Sequence, residues 1–150
     1  EAIEGYIPEN RRAQRMETGR NPIILDCYNA NPWSMAAAID NFSHEQTMRP
    51  KAVILGDMLE LGQYSDQEHA EVIERLSKSG IRKAFLVGSH FPDAAAKVIE
   101  GGNSTGKATV ESFTNTPALM DYLREHPLGG HFVLIKGSRG IALDKVTELL

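Results

Sequence analysis

The chain of 150 residues is 41% hydrophobic and 24% charged, which is enough apolar sequence for one globular domain with its own core. Its formal net charge of −4 argues against a protein that binds a nucleic-acid backbone, since such a protein needs a basic face. The charge does not exclude binding of a single nucleotide, which needs only local positive charge.

The predicted strands are short apolar runs that recur along the chain. A polar stretch at residues 9–21 comes first and can hold an edge strand around Ala13–Met16. Five stronger runs follow, and they are Ile23–Leu25, Ala52–Leu55, Ala84–Val87, Val110–Phe113 and Phe132–Ile135. Their nearly continuous apolar character predicts burial on both faces, as in a parallel sheet that helices cover.

A helical pattern follows each of these five runs. Asn31 is predicted to cap the first helix, with Pro32 at its first position. Ser65 and Glu68 are predicted to form a capping box for the second helix. The positions predicted to face the core are Met35, Ala38, Ile39, Phe42, Val72, Ile73, Leu76, Ala95, Val98, Ile99, Leu119, Met120 and Leu123, with Ala142, Val146, Leu149 and Leu150 in a last helix.

Strands that alternate with helices predict βαβ units with right-handed crossovers. We therefore expect an α/β fold: a Rossmann-like, doubly wound, mostly parallel sheet of about six strands with helices on both faces. The sequence shows no internal repeat, and we expect one domain over residues 1–150. Because the chain starts at Glu1 without methionine, we expect it to be a domain excised from a longer protein.

Cysteine usage and hydropathy bear on the compartment. Cys27 is the single cysteine, so the chain cannot form an internal disulfide bond or a cysteine-based metal cluster. This composition suits a reducing compartment, and we expect a cytoplasmic protein. The sequence has no apolar run near 18 residues and no signal peptide, so we expect no membrane insertion.

Polar clusters follow four of the predicted strands. They are the segments Asp26–Pro32, Gly56–Gly62, Gly88–His90 and Lys136–Gly140. In open α/β sheets, ligands bind beyond the carboxyl ends of the strands. Helix amino ends at this edge add N–H donors and a positive dipole end, so the edge can hold an anionic ligand.

Each polar cluster also has a purely structural interpretation. Asn31 is a helix cap whatever else it does, whereas Asn29 has less local reason to be polar. Asp26 and Asp57 can be simple turn residues. Lys136 and Arg139 form a cationic pair beside a helix amino end, which is unfavourable unless an anion binds there.

The histidines and the spacing of possible metal ligands give weaker evidence for a catalytic or metal site. His69 lies on the apolar stripe of its helix, so we expect a buried structural histidine. His90 follows a strand end but has no identifiable partner. The sequence contains no metal-ligand spacing such as His-x-x-x-His and no readable serine triad. We therefore predict no metal site.

Two other interpretations fit part of the sequence. Gly101–Lys107 nearly spells a P-loop, but a P-loop follows a strand and opens a helix, whereas this segment follows a helix and enters a strand. Asp26, Asp57 and Lys136 at strand ends would also suit a receiver-like signalling or binding module. That interpretation leaves the amide-rich cluster at residues 28–32 unexplained.

Three motifs at the predicted strand ends resemble one known family in order and spacing. They are Asp26–Met35, Leu55–Gly62 and Lys136–Arg139. The chain is similar, from about Tyr6 to Leu150, to the carboxy-terminal domain of the Mur ligases. Within that family it is most similar to the members (MurF) that join D-alanyl-D-alanine to UDP-N-acetylmuramoyl-tripeptide, with another amide ligase of the superfamily as the alternative.

The resemblance implies an ATP-dependent amide ligase. In the family, ATP and Mg²⁺ are bound mainly by a central domain, and a first domain holds the UDP end of the substrate. The carboxy-terminal domain closes over the nucleotide and receives the dipeptide. Its partners would be these upstream domains and the two substrates, and the isolated chain is expected to be inactive.

The resemblance also implies three groups of site residues. Arg12 would reach the ATP phosphates as the catalytic arginine, although a shift of one position would assign this role to Arg11. The ribose and adenosine contacts would be Asp26, Tyr28, Asn29 and Asn31. The dipeptide contacts would be Asp57, Lys136, Ser138 and Arg139.

Overall fold

A computed structural model describes residues 13–27, 30–100 and 108–150. Its strands form one six-stranded sheet, with the order β1-β2-β6-β3-β4-β5. The strands are β1 (Gln14–Glu17), β2 (Pro22–Asp26), β3 (Lys51–Gly56), β4 (Lys83–Val87), β5 (Thr109–Phe113) and β6 (Phe132–Lys136). The edge strand β1 pairs antiparallel with β2, and the other pairs are parallel. The predicted strands and the mostly parallel sheet are confirmed.

Four α-helices connect the parallel strands. They are α1 (Pro32–Ser43), α2 (Ser65–Ser77), α3 (His90–Glu100) and α4 (Thr116–Glu125). Asn31 caps α1 as predicted: its Oδ1 accepts from the Ser34 N–H at 2.8 Å, and Ser34 Oγ accepts from the Asn31 N–H at 3.1 Å. The reciprocal pair, with Pro32 at the first position, fixes where the helix begins after β2.

The predicted capping box at the start of α2 is wrong. A 3₁₀ turn at Gly62–Tyr64 runs directly into the helix, and the Ser65 N–H donates to the Gly62 carbonyl. Ser65 therefore has helical backbone angles and makes no capping bond. Its hydroxyl instead lies 3.3 Å from Nδ1 of His69. The Gly62 carbonyl thus already accepts from the Ser65 N–H, the donor that the Glu68 side chain would have bound in a capping box.

The predicted last helix is also wrong in type and start. The chain after β6 forms two 3₁₀ segments, Arg139–Ile141 and Leu143–Leu149, separated by Ala142 in the left-handed region at φ 60°. Leu143 and Val146 are fully buried. A spacing of three residues places side chains on one face of a 3₁₀ helix, so the apolar pattern suits this geometry.

The sheet is covered on both faces, as predicted. One core layer packs α1, α2 and α3 against Val53, Leu55 and neighbouring sheet side chains. The other packs α4 and the last 3₁₀ segment against Ala52, Ile54 and their neighbours. Because consecutive β3 side chains point to opposite faces, this central strand contributes to both layers.

The order of the strands creates a crevice at one edge. The chain moves from β2 to β3, β4 and β5 with α1–α3 on one face, then returns over the other face through α4. The last strand, β6, is thereby inserted between β2 and β3. Ligands bind at such switch points, beyond the carboxyl ends of the strands.

The same order argues against the receiver-like alternative. Counted along the chain, the five parallel strands lie in the order 1-5-2-3-4. Flavodoxin-like sheets, which include receivers, have the order 2-1-3-4-5. In the part of the chain that the structure describes, no helix has the length and apolar character needed to cross a bilayer.

Candidate functional site

The carboxyl ends of β2, β6 and β3 bring three predicted site residues to one rim. Asp26 and Lys136 are register partners at the ends of β2 and β6, and Leu55 of β3 is the partner of Lys136 on its other side. Asp57 follows β3 by one residue. The prediction that Asp26, Asp57 and Lys136 converge on one edge is confirmed.

Lys136 and Asp26 form a buried ion pair at this rim. Nζ of Lys136 donates to Oδ2 of Asp26 at 2.9 Å, with the two side chains 2% and 15% exposed. Removing two charges from water is costly unless the pair keeps good geometry. Lys136 is therefore engaged within the protein, and its direct contact with the dipeptide stays a prediction.

Two buried polar atoms, one in the ion pair itself and one two residues after Lys136, have no partner in the described part of the chain. Within the described residues, Oδ1 of Asp26 and Oγ of Ser138 make no hydrogen bond. Buried polar atoms are nearly always paired with protein or with ordered water. An acceptor and a hydroxyl left available at the end of adjacent strands can pair with a polar ligand.

Asp57 is buried and caps α3 from a neighbouring strand. Its Oδ2 accepts from the N–H groups of Ser89 at 2.7 Å and His90 at 2.8 Å, and its Oδ1 accepts from Phe91 at 2.8 Å. These bonds satisfy N–H groups at the amino end of α3 and place a negative charge at its positive dipole end. Direct contact with the dipeptide stays a prediction, and the geometry favours an indirect role.

Gly88 provides the space for the Asp57 carboxylate. Its φ is +131°, and a Cβ at this position would lie 2.2 Å from Cγ of Asp57. We expect Gly88→Ala to lower the free energy of unfolding by about 3 kcal/mol or more, because the methyl group clashes and the backbone is strained. Urea denaturation measures the change. A Gly129→Ala variant is the control, since its Cβ would meet no atom within 4 Å.

The strands β3 and β6 approach each other closely just beyond their ends. A Cβ on Gly137 would lie 3.1 Å from Cα of Gly56 and 2.9 Å from Cδ1 of Leu143. The absence of a side chain at Gly56 makes this close packing possible. The tight contact holds the loops after β3 and β6 side by side.

The remaining predicted site residues are placed as follows. Asn31 caps α1 at the carboxyl end of β2. Arg139 is exposed and begins the 3₁₀ segment after β6. Arg12, Tyr28 and Asn29, together with the alternative Arg11, lie outside the described residues.

Cys27 follows Asp26 at the rim, in surroundings that disfavour the thiolate. Burial raises the pKa of its thiol to about 12, and the carboxylates of Asp144 and Asp26 act in the same direction. A thiol with so high a pKa is protonated at neutral pH and reacts slowly. Within the described residues, no group of three or more His, Cys, Asp or Glu side chains could hold a metal ion.

A cavity of about 280 Å³ opens at the same edge of the sheet. Its walls include Gly88 after β4, Thr116 at the start of α4, the segment Gly140–Ala142 after β6, and Lys145. A roomier groove of about 440 Å³ lies at the other edge, between the ends of α1 and α2. The Asp40–Arg75 ion pair lies in the wall of that groove, and none of the predicted site residues lines it. The smaller cavity is the better candidate because it adjoins the rim.

Comparison with known proteins identifies the family. The sequence profile described as "Mur ligase, glutamate ligase domain" matches residues 11–139. The chain is 39% identical over 129 residues to the UDP-N-acetylmuramoyl-tripeptide–D-alanyl-D-alanine ligase of Treponema pallidum, covering 85% of this chain and 27% of that ligase. It is 33% identical over 129 residues to the ligase of the same name from Bacillus subtilis, covering 84% and 27%.

Solved structures show the same fold. MurF from Acinetobacter baumannii superposes with a TM-score of 0.71 at 26% identity, over 92% of this chain and 29% of that chain. MurF from Thermotoga maritima, in complex with ADP, superposes with a TM-score of 0.66 at 20% identity, over 93% and 30%. The chain spans little more than a quarter of the Treponema ligase. With its profile match and its 39% identity to a named ligase, the chain belongs to the Mur ligase family, as a carboxy-terminal domain.

Proposed function

We propose that this chain is the carboxy-terminal domain of an ATP-dependent ligase that joins D-alanyl-D-alanine to UDP-N-acetylmuramoyl-tripeptide. The observation that carries the proposal is the convergence of three motif loops on one rim, in a chain 39% identical to a ligase of that name. We also propose that the full-length ligase is cytoplasmic and acts in the synthesis of peptidoglycan precursors.

The nucleotide is proposed to meet the β2 side of the rim. Asp26 Oδ1 can accept from a ribose hydroxyl, because this atom lacks a partner among the described residues. Asn31 holds the amino end of α1 at this edge. Tyr28 and Asn29 are proposed to complete the adenosine contacts, and Arg12 to reach the phosphates.

Mg²⁺ does not fit the described residues of this chain. They contain no cluster of carboxylate, histidine or cysteine ligands. The Asp57 carboxylate at the rim is buried, and its two oxygens already accept from three backbone N–H groups. The metal is therefore proposed to bind outside this chain, in the domain that holds the phosphates.

The dipeptide is proposed to occupy the cavity between the ends of β4 and β6. A volume of about 280 Å³ suits a small peptide, and Met120 and Ile141 offer apolar contact to its methyl groups. Lys145 in the cavity wall supplies positive charge for its carboxylate. Ser138 and Arg139 lie in the segment that leads into this wall, which supports their predicted contact with the dipeptide.

The part of this chain in the proposed reaction is positioning. The peptide carboxylate is activated by transfer of a phosphoryl group from ATP, and the dipeptide amine then attacks and expels phosphate. A domain that holds the amine beside the activated carboxylate converts a bimolecular step into an effectively unimolecular one. Closing the rim over the nucleotide also excludes water, which would hydrolyse the acyl phosphate.

Apolar side chains at the rim support contact with other domains of the same protein. Trp33 in the first turn of α1 is 82% exposed, and Tyr64 before α2 is 58% exposed. Exposed large apolar groups that gather at one edge mark an interaction surface. We assign this surface to the upstream domains of the ligase.

The proposal is tested with a full-length protein that carries this chain. Incubation with UDP-N-acetylmuramoyl-tripeptide, D-alanyl-D-alanine, ATP and Mg²⁺ is expected to release phosphate and give the pentapeptide product, identified by mass. The 150-residue chain alone is expected to give none, because the phosphate site lies elsewhere. An Arg12→Ala protein that turns over like the wild type would remove Arg12 from the site. Preference for a different amine, or turnover by the isolated chain, would overturn the proposal.

A further inference from the structure

His69 is a buried titratable residue that the proposed function does not use. Its side chain is 0% exposed, and its Nε2 accepts from the Met58 N–H at 3.0 Å. Nδ1 lies 2.7 Å from the Ser65 carbonyl, so Nδ1 carries the proton and donates it there. Burial lowers the pKa of His69, although the Ser65 bond and the Asp57 charge oppose this shift. The ring is therefore neutral, as an acceptor at Nε2 must be.

The bond from Met58 ties the loop after β3 to α2. Met58 is fully buried and lies between Asp57, which caps α3, and Leu59, which is 42% exposed. The His69 ring also packs edge-on against Phe91 of α3, with ring centroids 4.5 Å apart. The loop is thus fastened to α2 through His69 and to α3 through Asp57. An apolar side chain in place of His69 could fill the space but could not accept from Met58.

The loop held in this way leads to the proposed dipeptide cavity. Cδ1 of Leu59 lies 3.5 Å from where a Cβ on Gly140 would be, and Gly140 lines the cavity. The next residue, Glu60, has φ 64°, a left-handed conformation that non-glycine residues adopt at a cost. Such a conformation persists only where the surrounding structure enforces it. The two anchors on the loop supply that enforcement.

We infer that His69 is a positioning residue that, through the Met58 N–H, sets the loop Asp57–Gly62 against the segment Gly140–Ala142 and so shapes the site of the incoming dipeptide. The inference rests on the proposed function. Its consequence is specific: loss of the bond changes the affinity for the dipeptide amine rather than for the nucleotide, which lies on the β2 side of the rim.

Three variants of the full-length ligase separate this role from simple core packing. His69→Gln places an amide oxygen at about the distance of Nε2 and can still accept from Met58. His69→Asn reaches only the position of Nδ1, and His69→Leu fills space without any hydrogen bond. We expect Asn and Leu to raise KM for D-alanyl-D-alanine about tenfold, with kcat and KM for ATP changed less than about twofold, and Gln to restore KM.

Leu59→Ala keeps the inference testable if a His69 variant fails to fold. This side chain is partly exposed, so its loss spares the core, and it should raise KM for the dipeptide in the same direction. Met48→Ala is the matched control: Met48 is fully exposed between α1 and β3, at the opposite edge, and should change nothing.

The outcomes distinguish the inference from the proposed function. Folded Asn and Leu variants with unchanged KM, a Gln variant as impaired as Leu, or an unaffected Leu59→Ala protein would each overturn the inference while the wild type remains an active ligase. A wild-type enzyme that makes no product from D-alanyl-D-alanine would overturn the proposed function and the inference with it.

Discussion

Asp57→Asn is expected to lower the free energy of unfolding by about 2–4 kcal/mol, because the change removes a buried charge from the amino end of α3. The amide has nearly the shape of the carboxylate but only one acceptor oxygen. If that oxygen keeps the bonds from Ser89 and His90, the amide nitrogen must face the Phe91 N–H, which is a second donor. At least one buried N–H then has no acceptor.

Urea denaturation of wild type and variant measures this difference. Asp66→Asn is the matched control, since Asp66 is an acid in the first turn of α2 that pairs with Lys97 at the surface. The hydrogen bond from Lys97 lowers the pKa of Asp66, but the pair is exposed to solvent and is expected to leave stability close to that of the wild type. Equal midpoints for Asp57→Asn and the wild type would show that neither the buried charge nor the lost N–H bond stabilises the fold.

The fold was largely predictable because its signals are local. β3 is buried along Ala52–Leu55, so its apolar run is uninterrupted. The cap of α1 is formed by Asn31 and Ser34, three positions apart, with Pro32 between them. Even the gathering of Asp26, Asp57 and Lys136 at one edge followed from a rule about parallel sheets, without knowledge of their contacts.

The roles of the same residues were less predictable because their partners are distant in sequence. Asp57 bonds to N–H groups 32 to 34 positions later, and Lys136 pairs with Asp26 across 110 positions. Neither spacing leaves a periodic signal. His69 was correctly predicted to be buried, but its bond to Met58 depends on how the loop after β3 folds back on α2.

The two wrong helix predictions have a common physical cause. In each case the residue types suit the predicted local structure, but the backbone conformation of the preceding residues excludes it. The turn at Gly62–Tyr64 supplied an acceptor for the Ser65 N–H, which the Glu68 side chain would have accepted in a capping box. The left-handed Ala142 prevented one continuous helix after β6, leaving two 3₁₀ segments. Both deviations lie at the edge that carries the candidate site, where strained backbone is commonly found.

Lys136→Met in the full-length ligase is expected to cost about 3 kcal/mol of stability and to abolish most of its activity, because it leaves the Asp26 carboxylate buried without its cation. The value is at the lower end for a broken buried pair, since Asp26 is 15% exposed and can take up water. The double variant Asp26→Leu with Lys136→Met removes both charges and is expected to recover much of the lost stability.

Stability and activity should then diverge between the single and double variants, and this divergence is the test of the site. If the ion pair exists to present Asp26 to the nucleotide, the double variant regains its fold but not its turnover, with KM for ATP raised in whatever activity remains. Chemical denaturation and phosphate release, measured on the same preparations, give both quantities. A double variant that regains turnover along with stability would mean that the buried pair only holds β2 and β6 together, and Asp26 would no longer belong to the ligand site.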